Sequence, residues 1–492
     1  MRMNETEISR VLLLTIVVAM LGRLLMLGFY PLMDTTEARY AEIARKMVEL
    51  NDWVTPWYEY GVPFWGKPPL SFWLTAASFK LFGINEFAAR FPHWLGGVLV
   101  IWLVWGMVVR RSHREALYAL AILTGSVLFL IASGAVMTDM TLAVGITLAM
   151  RSFWLALHGT MEERRRERWI LFVGIGIGLL AKGPLALVLV MLPIAAWAIV
   201  TRNVAHVWSE IPWLRGGLVA ILIASPWYVL AELHTPGFLN YFLVGEHFQR
   251  FVTPGWNGDL YGNAHEYARG TIWMFALAAF LPWSVLIPIA MLYWRRKQDV
   301  REINSDSRNW RLYVLFWGLA PAVFFTAASN ILWTYLLPGA PGLALWAAGW
   351  LAQQQNRATV ERLLFAGVMF TLLATLAFIL SLPVTGRNEL KSAKALVSDY
   401  QSCRSADEAL VFIGKPPYSG AFYSQGKAQY TVQMASLALR IKQETVFIAI
   451  PKTAIKDIPP SILEQLTPVS QRGGFDLFVA NRHTTATASC VE

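Results

Sequence analysis

Val11 to Tyr30 reads VLLLTIVVAMLGRLLMLGFY, twenty residues carrying one charge, Arg23. At 1.5 Å rise per residue, a helix of that length crosses a hydrocarbon core about 30 Å thick. The run is longer than a signal-peptide core and no small-residue cleavage site follows it, so it reads as a retained first span. Ten more apolar runs begin near Trp94, Ala116, Met140, Trp169, Leu185, Gly216, Gly270, Leu312, Tyr335 and Leu363, some shorter than the ideal span. The composition agrees. Of 492 residues, 56% are hydrophobic and 15% are charged, against roughly a quarter charged in soluble proteins. The predicted fold class is an α-helical polytopic membrane protein with about eleven spans.

The net charge of +10 suggests nucleic acid at first sight, but the arginines cluster in short loops between apolar runs, as in Glu162-Glu163-Arg164-Arg165-Arg166-Glu167-Arg168. That is the pattern of membrane topology, and no nucleic-acid partner is expected. An amino terminus inside puts Arg110, Arg111 and Arg114, the Arg164 to Arg168 cluster, and Arg295, Arg296 and Lys297 on the cytoplasmic side. Residues 31–93, the turn at Asp139, residues 233–269, the turn at Asn330 and everything after Leu382 then face outward, since an odd number of spans exports the tail. The chain divides into a transmembrane part, 1–382, and a tail, 383–492. The tail holds charges, turns and β-rich segments at Leu410 to Ile413 and Thr445 to Ile450, enough for a small α/β domain. Cys403 and Cys490 are too few for a disulfide scaffold or a four-thiolate zinc site. Gly174, Gly176 and Gly178 lie inside an apolar span with no strand before them, so Gly174 and Gly178 read as a close helix contact, not as a dinucleotide loop.

The longest outer loop opens on Asp34-Thr35-Thr36-Glu37-Ala38-Arg39-Tyr40-Ala41-Glu42-Ile43-Ala44-Arg45. Glu42, Arg45 and Glu49 share one helical face and Tyr40, Ile43 and Met47 another, which predicts an amphipathic helix on the membrane surface with Asp34 and Thr35 at its start. Further on, Lys67 lies between aromatics and Pro68-Pro69. Pro68 restricts the backbone of Lys67, so the ammonium can be presented to a phosphate at small entropic cost. Lys182, in Leu180-Ala181-Lys182-Gly183-Pro184, is half-buried between two apolar runs and implies an anionic partner. Asp139 lies at a tight outer turn. Gly245-Glu246-His247-Phe248-Gln249-Arg250-Phe251 lies in a loop with His234, Asp259, His265 and Glu266, whose spacing matches no compact metal motif. No metal ligand is assigned, and a divalent metal is only an alternative there. Arg23 either snorkels or faces the polar cleft.

Acids (Asp34, Glu37, Asp139) and cations (Lys67, Lys182, Arg250) thus fall on one membrane face beside aromatic residues. Cations that stabilise a leaving phosphate and a carboxylate that activates an acceptor suit group transfer from a lipid phosphate. At these residues the sequence resembles the GT-C class of integral-membrane glycosyltransferases, in particular the bacterial lipid A aminoarabinose transferases and their protein O-mannosyltransferase relatives. The resemblance runs from about Leu12 to Leu382. It is carried by Glu37-Ala38-Arg39-Tyr40-Ala41-Glu42-Ile43-Ala44-Arg45, Lys67-Pro68-Pro69-Leu70, Lys182-Gly183-Pro184, Glu246-His247-Phe248-Gln249-Arg250-Phe251 and Thr334-Tyr335-Leu336-Leu337-Pro338.

The resemblance implies a polyprenyl-phosphate sugar donor, inverting transfer to a lipid, glycan or protein acceptor on the periplasmic side of the bacterial inner membrane, and a periplasmic tail domain. On that pattern the catalytic carboxylates are Asp34, Glu37 and Asp139, with Asp34 the leading base. Lys67, Lys182, Arg250 and Tyr335 bind the donor phosphate, and Arg39, Tyr40 and His247 complete the cleft. Three positions depart from the family: Thr36 stands where an aspartate usually precedes the glutamate, Gly66 where the aminoarabinose transferases tend to have a glutamate, and Ile331 where they tend to have a lysine. The competing reading from another class is a transporter or flippase of a lipid-linked sugar. The sequence shows no internal repeat of the kind many transporters carry.

Overall fold

The computed structural model describes residues 5–253, 256–262, 266–295, 305–404 and 408–480. His265, Arg296, Lys297 and Cys490 lie outside them. Each of the eleven apolar runs begins in or beside a helix. Among the described residues, five helices are long and apolar enough to cross a membrane: Ser9–Met26 within Glu5–Met26, Glu86–Val108, Thr138–His158, Trp213–His234 and Arg357–Val384. A sixth span arises if Thr271–Ala279 and the helix from Trp283, bent by 84° at their junction, are taken as one. The remaining runs lie in helices that are shorter, such as His113–Thr124 and Leu185–Val200, or that begin in charged turns, such as Met161–Lys182. The chain is a multi-pass membrane protein.

Thr138–His158 is the central helix, with 83% of its most apolar window buried against 28–39% in the other four. Its near neighbour is Met161–Lys182, and small residues set how close the two come. A Cβ at Gly145 would lie 2.8 Å from the nitrogen of Gly178, and one at Gly174 would lie 2.6 Å from the nitrogen of Ala149. Side chains at these positions would force the backbones apart, which is the close contact expected of Gly174 and Gly178.

Two helices cover one end of the bundle. Thr36–Leu50 forms where the amphipathic pattern predicts, but both of its faces are buried, including Glu42, Arg45 and Lys46. It is therefore not a surface helix. It packs on Leu70–Phe82, a short apolar helix in the same loop, and on the tail helix Tyr418–Tyr423. Arg45 donates to Glu42 at 2.6 Å, so the polar face is satisfied within the protein. A small hairpin, β1 (Trp57–Glu59) and β2 (Val62–Pro63), completes this layer.

The tail is a five-stranded mixed sheet with strand order β4-β3-β5-β7-β6, where β3 is Ala409–Ile413, β4 Gln429–Thr431, β5 Val446–Pro451, β6 Leu466–Arg472 and β7 Phe475–Ala480. β3 runs parallel to β4 and β5, while β7 is antiparallel to β5 and β6. Alternation along each strand sends Leu410, Phe412 and Phe447 into one core and Val411, Val446 and Ile448 into another. Helix Lys394–Cys403 covers the first and Met434–Gln443 the second, so the continuous apolar runs of β3 and β5 follow from burial on both faces.

Replacing Gly174 by leucine should destabilise the protein by about 1–3 kcal/mol or more through overpacking. The readout is a lowered melting temperature of the purified protein in detergent; an unchanged one would mean that the two helices are not in contact there.

Candidate active site

Asp139 lies in the first turn of Thr138–His158, and Lys182 ends Met161–Lys182. The two helices are joined by a two-residue turn and are nearly equal in length, so the chain rises and returns to the same level and the two side chains meet. Nζ of Lys182 is 2.6 Å from Oδ1 of Asp139 and sits 4.2 Å from the ring centre of Tyr335. A carboxylate at a helix amino end and an ammonium at a carboxyl end both match the helix dipole. The chain then turns at Gly183, whose φ of +75° suits glycine.

Glu246 is carried on a π-helical segment, Asn240–Gln249, a rare form that occurs often at functional sites. Its carboxylate touches Nζ of Lys67 at 3.5 Å and Nη1 of Arg250 at 2.8 Å. Arg250 also reaches Asp259 at 3.4 Å, and Lys67 donates to the carbonyl of Gly66 at 2.5 Å. Burial alone would push the Glu246 carboxyl up, but Lys67 and Arg250 outweigh it and hold it below the ordinary carboxylate value.

These groups line a single cleft of about 520 Å³ together with Thr35, Thr36, Arg39, Tyr40, Thr334, Tyr335 and Tyr418. Arg39 donates to the carbonyl of Tyr261 at 2.7 Å and lies 5.4–5.9 Å from the rings of Tyr40, Tyr418 and Phe64. The tail domain supplies Tyr418, whose hydroxyl hydrogen-bonds that of Tyr58.

Three predicted site residues do not line this cleft. Asp34 accepts hydrogen bonds from both the backbone N–H and the hydroxyl of Ser419, and it faces a separate small cavity beside Leu390 and Arg472. Burial raises its carboxyl above the ordinary value, and the two bonds from Ser419 offset only part of that. Glu37 is taken by Arg90, which donates to its two oxygens at 2.8 and 2.7 Å. Its carboxyl is driven up by burial but brought below the ordinary value by Arg90 and by the N–H groups of Met33 and Val136. His247 spans from the carbonyl of Phe242, 2.7 Å from Nδ1, to that of Lys182, 3.2 Å from Nε2. It fixes the Lys182 turn rather than entering the cleft.

Asp139 is the one of the three predicted catalytic carboxylates in the cleft, and Lys67, Lys182, Arg250, Tyr335, Arg39 and Tyr40 join it there. Arg23 neither snorkels nor enters it: its guanidinium donates to the carbonyls of Leu130 and Ile131 at 3.0 and 3.1 Å. Sequence reasoning missed Glu246 and Asp259 as cleft carboxylates, although both lie in the stretch it singled out, and it missed Tyr418, for which the tail gives no signal. Among the described residues no three His, Cys, Asp or Glu side chains are grouped so as to hold a metal ion.

Residues 8–242 match the family described as dolichyl-phosphate-mannose-protein mannosyltransferase. Among curated proteins, the undecaprenyl phosphate-alpha-4-amino-4-deoxy-L-arabinose arabinosyl transferase of Erwinia tasmaniensis is 32% identical over 365 residues, 71% of this chain and 61% of its own. The enzyme of that name from Aeromonas hydrophila is 30% identical over 387 residues, 74% of this chain and 66% of its own. The chain thus spans about three fifths of the length of the first curated relatives it matches. The crystal structure of ArnT from Cupriavidus metallidurans bound to undecaprenyl phosphate superposes with a TM-score of 0.78 at 19% identity, covering 95% of this chain and 97% of that one. The likeness establishes the fold.

Glu37→Gln should cost about 3–5 kcal/mol, because it leaves the Arg90 charge buried without its counter-ion. Since the folded carboxyl titrates below the unfolded one, the wild-type pairing contributes fully above the ordinary carboxylate range and is lost as the pH falls through the folded value. Acid unfolding curves of the two proteins should therefore converge at low pH. Curves that stay parallel would show that the pair contributes nothing.

Proposed function

We propose, from the premise that this chain has the GT-C fold and is a sequence relative of the aminoarabinose transferases, that it transfers a sugar from a polyprenyl-phosphate donor. The single observation that carries this reading is the cleft at the ends of the central helices, which brings Lys67, Lys182, Arg250 and Tyr335 together with the carboxylate of Asp139, itself paired to Lys182. The lipid phosphate binds among these cations with its polyprenyl chain along the exposed apolar helix surfaces. The acceptor is a lipid, glycan or protein nucleophile that enters from the side of the outer loop and the tail. The chain lies in the bacterial inner membrane with its outer loops and its tail domain, residues 383–492, in the periplasm. There a lipid-carried sugar replaces the nucleotide sugars of the cytoplasm.

The acceptor oxygen or nitrogen attacks the anomeric carbon from the side opposite the phosphate, and the carbon–oxygen bond to the phosphate breaks with inversion. The acceptor proton passes to a carboxylate, and the polyprenyl phosphate leaves into the field of the cations. Of the three carboxylates nominated by the sequence, Asp139 takes the role of base, because it lies in the cleft while Asp34 and Glu37 are held elsewhere by Ser419 and Arg90. A donor phosphate that draws the ammonium of Lys182 to itself uncovers Asp139 for that proton.

Incubating the purified protein with undecaprenyl-phosphate sugar and candidate acceptors should yield a glycosylated product. Movement of the donor across a bilayer without product would favour the flippase instead. Asp139→Asn should lower turnover by about 10²-fold or more while undecaprenyl phosphate still binds, and Asp34→Asn should lower it far less. The reverse order would return the role of base to Asp34. Lys67→Ala and Lys182→Ala should each weaken binding of undecaprenyl phosphate, and unchanged affinity in both would remove the phosphate from this cleft.

A further inference from the structure

Each cation assigned to the donor phosphate is already engaged by a carboxylate: Lys182 by Asp139, Lys67 by Glu246, and Arg250 by Glu246 and Asp259. Glu246 alone of these acids bridges two of the cations. Its side chain is only 5% exposed, where water screens little of its charge. Room for it is built in, since a Cβ at Gly66 would come within 3.2 Å of its Oε1. Neither cation needs Glu246 to stay in place, because Arg250 keeps Asp259 and Lys67 keeps the carbonyl of Gly66.

We infer that Glu246 is a built-in competitor of the lipid phosphate: it occupies Lys67 and Arg250 when the cleft is empty and drives the spent carrier phosphate out after transfer. The inference rests on the reading that these cations bind the donor. The donor is a phosphodiester with one negative charge, whereas the released carrier is a phosphomonoester whose second ionisation lies near pH 6, so it carries nearly two charges at neutral pH. A fixed carboxylate beside the phosphate repels the product more strongly than the donor. The cations attract the dianionic product more strongly as well, and Glu246 offsets part of that preference with no movement of the cations.

The test is the affinity of the full-length protein in detergent for undecaprenyl phosphate, measured for wild type, Glu246→Gln and Glu246→Asp at pH 5.5 and 8. Glu246→Gln keeps the shape and an acceptor for Arg250 but removes the charge, so it should bind undecaprenyl phosphate about tenfold more tightly at pH 8. The gain should shrink at pH 5.5, where the probe holds fewer charges. With a donor supplied, undecaprenyl phosphate should inhibit this variant more strongly than the wild type. The shorter Glu246→Asp retains the charge and should stay close to wild type, which separates the loss of charge from a loss of packing. Equal or weaker binding by Glu246→Gln overturns the inference. Should that variant not fold, Glu246→Asp still decides, because an affinity that drops as Lys67 and Arg250 lose contact would make Glu246 a support of the site and not a competitor. Wild-type protein that binds no undecaprenyl phosphate at all would instead overturn the donor reading on which the inference stands.

Discussion

The guanidinium of Arg90 is fully buried, and all five of its N–H donors are used. Two go to the carboxylate of Glu37, and three go to the carbonyls of Leu27, Tyr30 and Pro31, at 2.7–2.9 Å. Glu37 in turn accepts from the N–H groups of Met33 and Val136. One ion pair therefore joins the end of the first helix, the start of the outer-loop helix, the first turns of Glu86–Val108 and the stretch just before Asp139. Isolated buried charges are costly, so this pair is tolerable only with every lone pair and proton satisfied, as here. Once it forms, the outer-loop helix is fixed above the central helices, and Thr35, Thr36, Arg39 and Tyr40 become the roof of the cleft.

The tail is fastened to that roof by the short helix Tyr418–Tyr423 together with Lys391, Lys394 and Lys415. Ser419 binds Asp34, Tyr423 accepts from the N–H of Leu32 and donates to Glu86, and Lys394 pairs with Glu86. Phe422 is buried among Ala41, Phe79 and their neighbours. Because Tyr418 begins the same helix, docking of the tail and completion of the cleft wall are one event. The hydroxyl contact of Tyr58 with Tyr418 closes the wall from the loop side. The tail thus forms part of the site's architecture and is not an appended domain.

How much of this is legible in the sequence follows from the range of the interaction concerned. The spans, the β-rich segments at Leu410 and Thr445, and the glycine contact at Gly174 depend on local periodicity, and the sequence displays them. Lys67, Lys182, Arg250 and Asp139 were legible because charges next to apolar runs need a reason to be there. Pairings across long separations were not. Nothing local distinguishes Asp34, which finds Ser419 385 positions away, from Asp139, which finds Lys182 43 positions away. The amphipathic pattern of Thr36–Leu50 was read as facing a membrane because periodicity says that a face is polar, not what covers it. Here the cover is Tyr60 and the tail, and Arg45 pairs with Glu42 and Glu49 along the helix itself.

Charge pairing also explains how a cleft this polar can exist at the ends of apolar helices. Its lining holds four cations, Arg39, Lys67, Lys182 and Arg250, and three carboxylates, Asp139, Glu246 and Asp259. Without the carboxylates, burying the cations would cost several kcal/mol each. Arg39 is the exception: its partners are the carbonyl of Tyr261, the side chain of Tyr418 and the surrounding rings, and its buried Nε has no hydrogen-bond partner. The rings of Tyr40, Tyr418 and Phe64 take up part of that charge through their faces, a weaker interaction than an ion pair. The cleft is therefore held together by internal pairs yet keeps one excess positive charge. The geometry of the carboxylates therefore matters as much to the cleft as that of the cations.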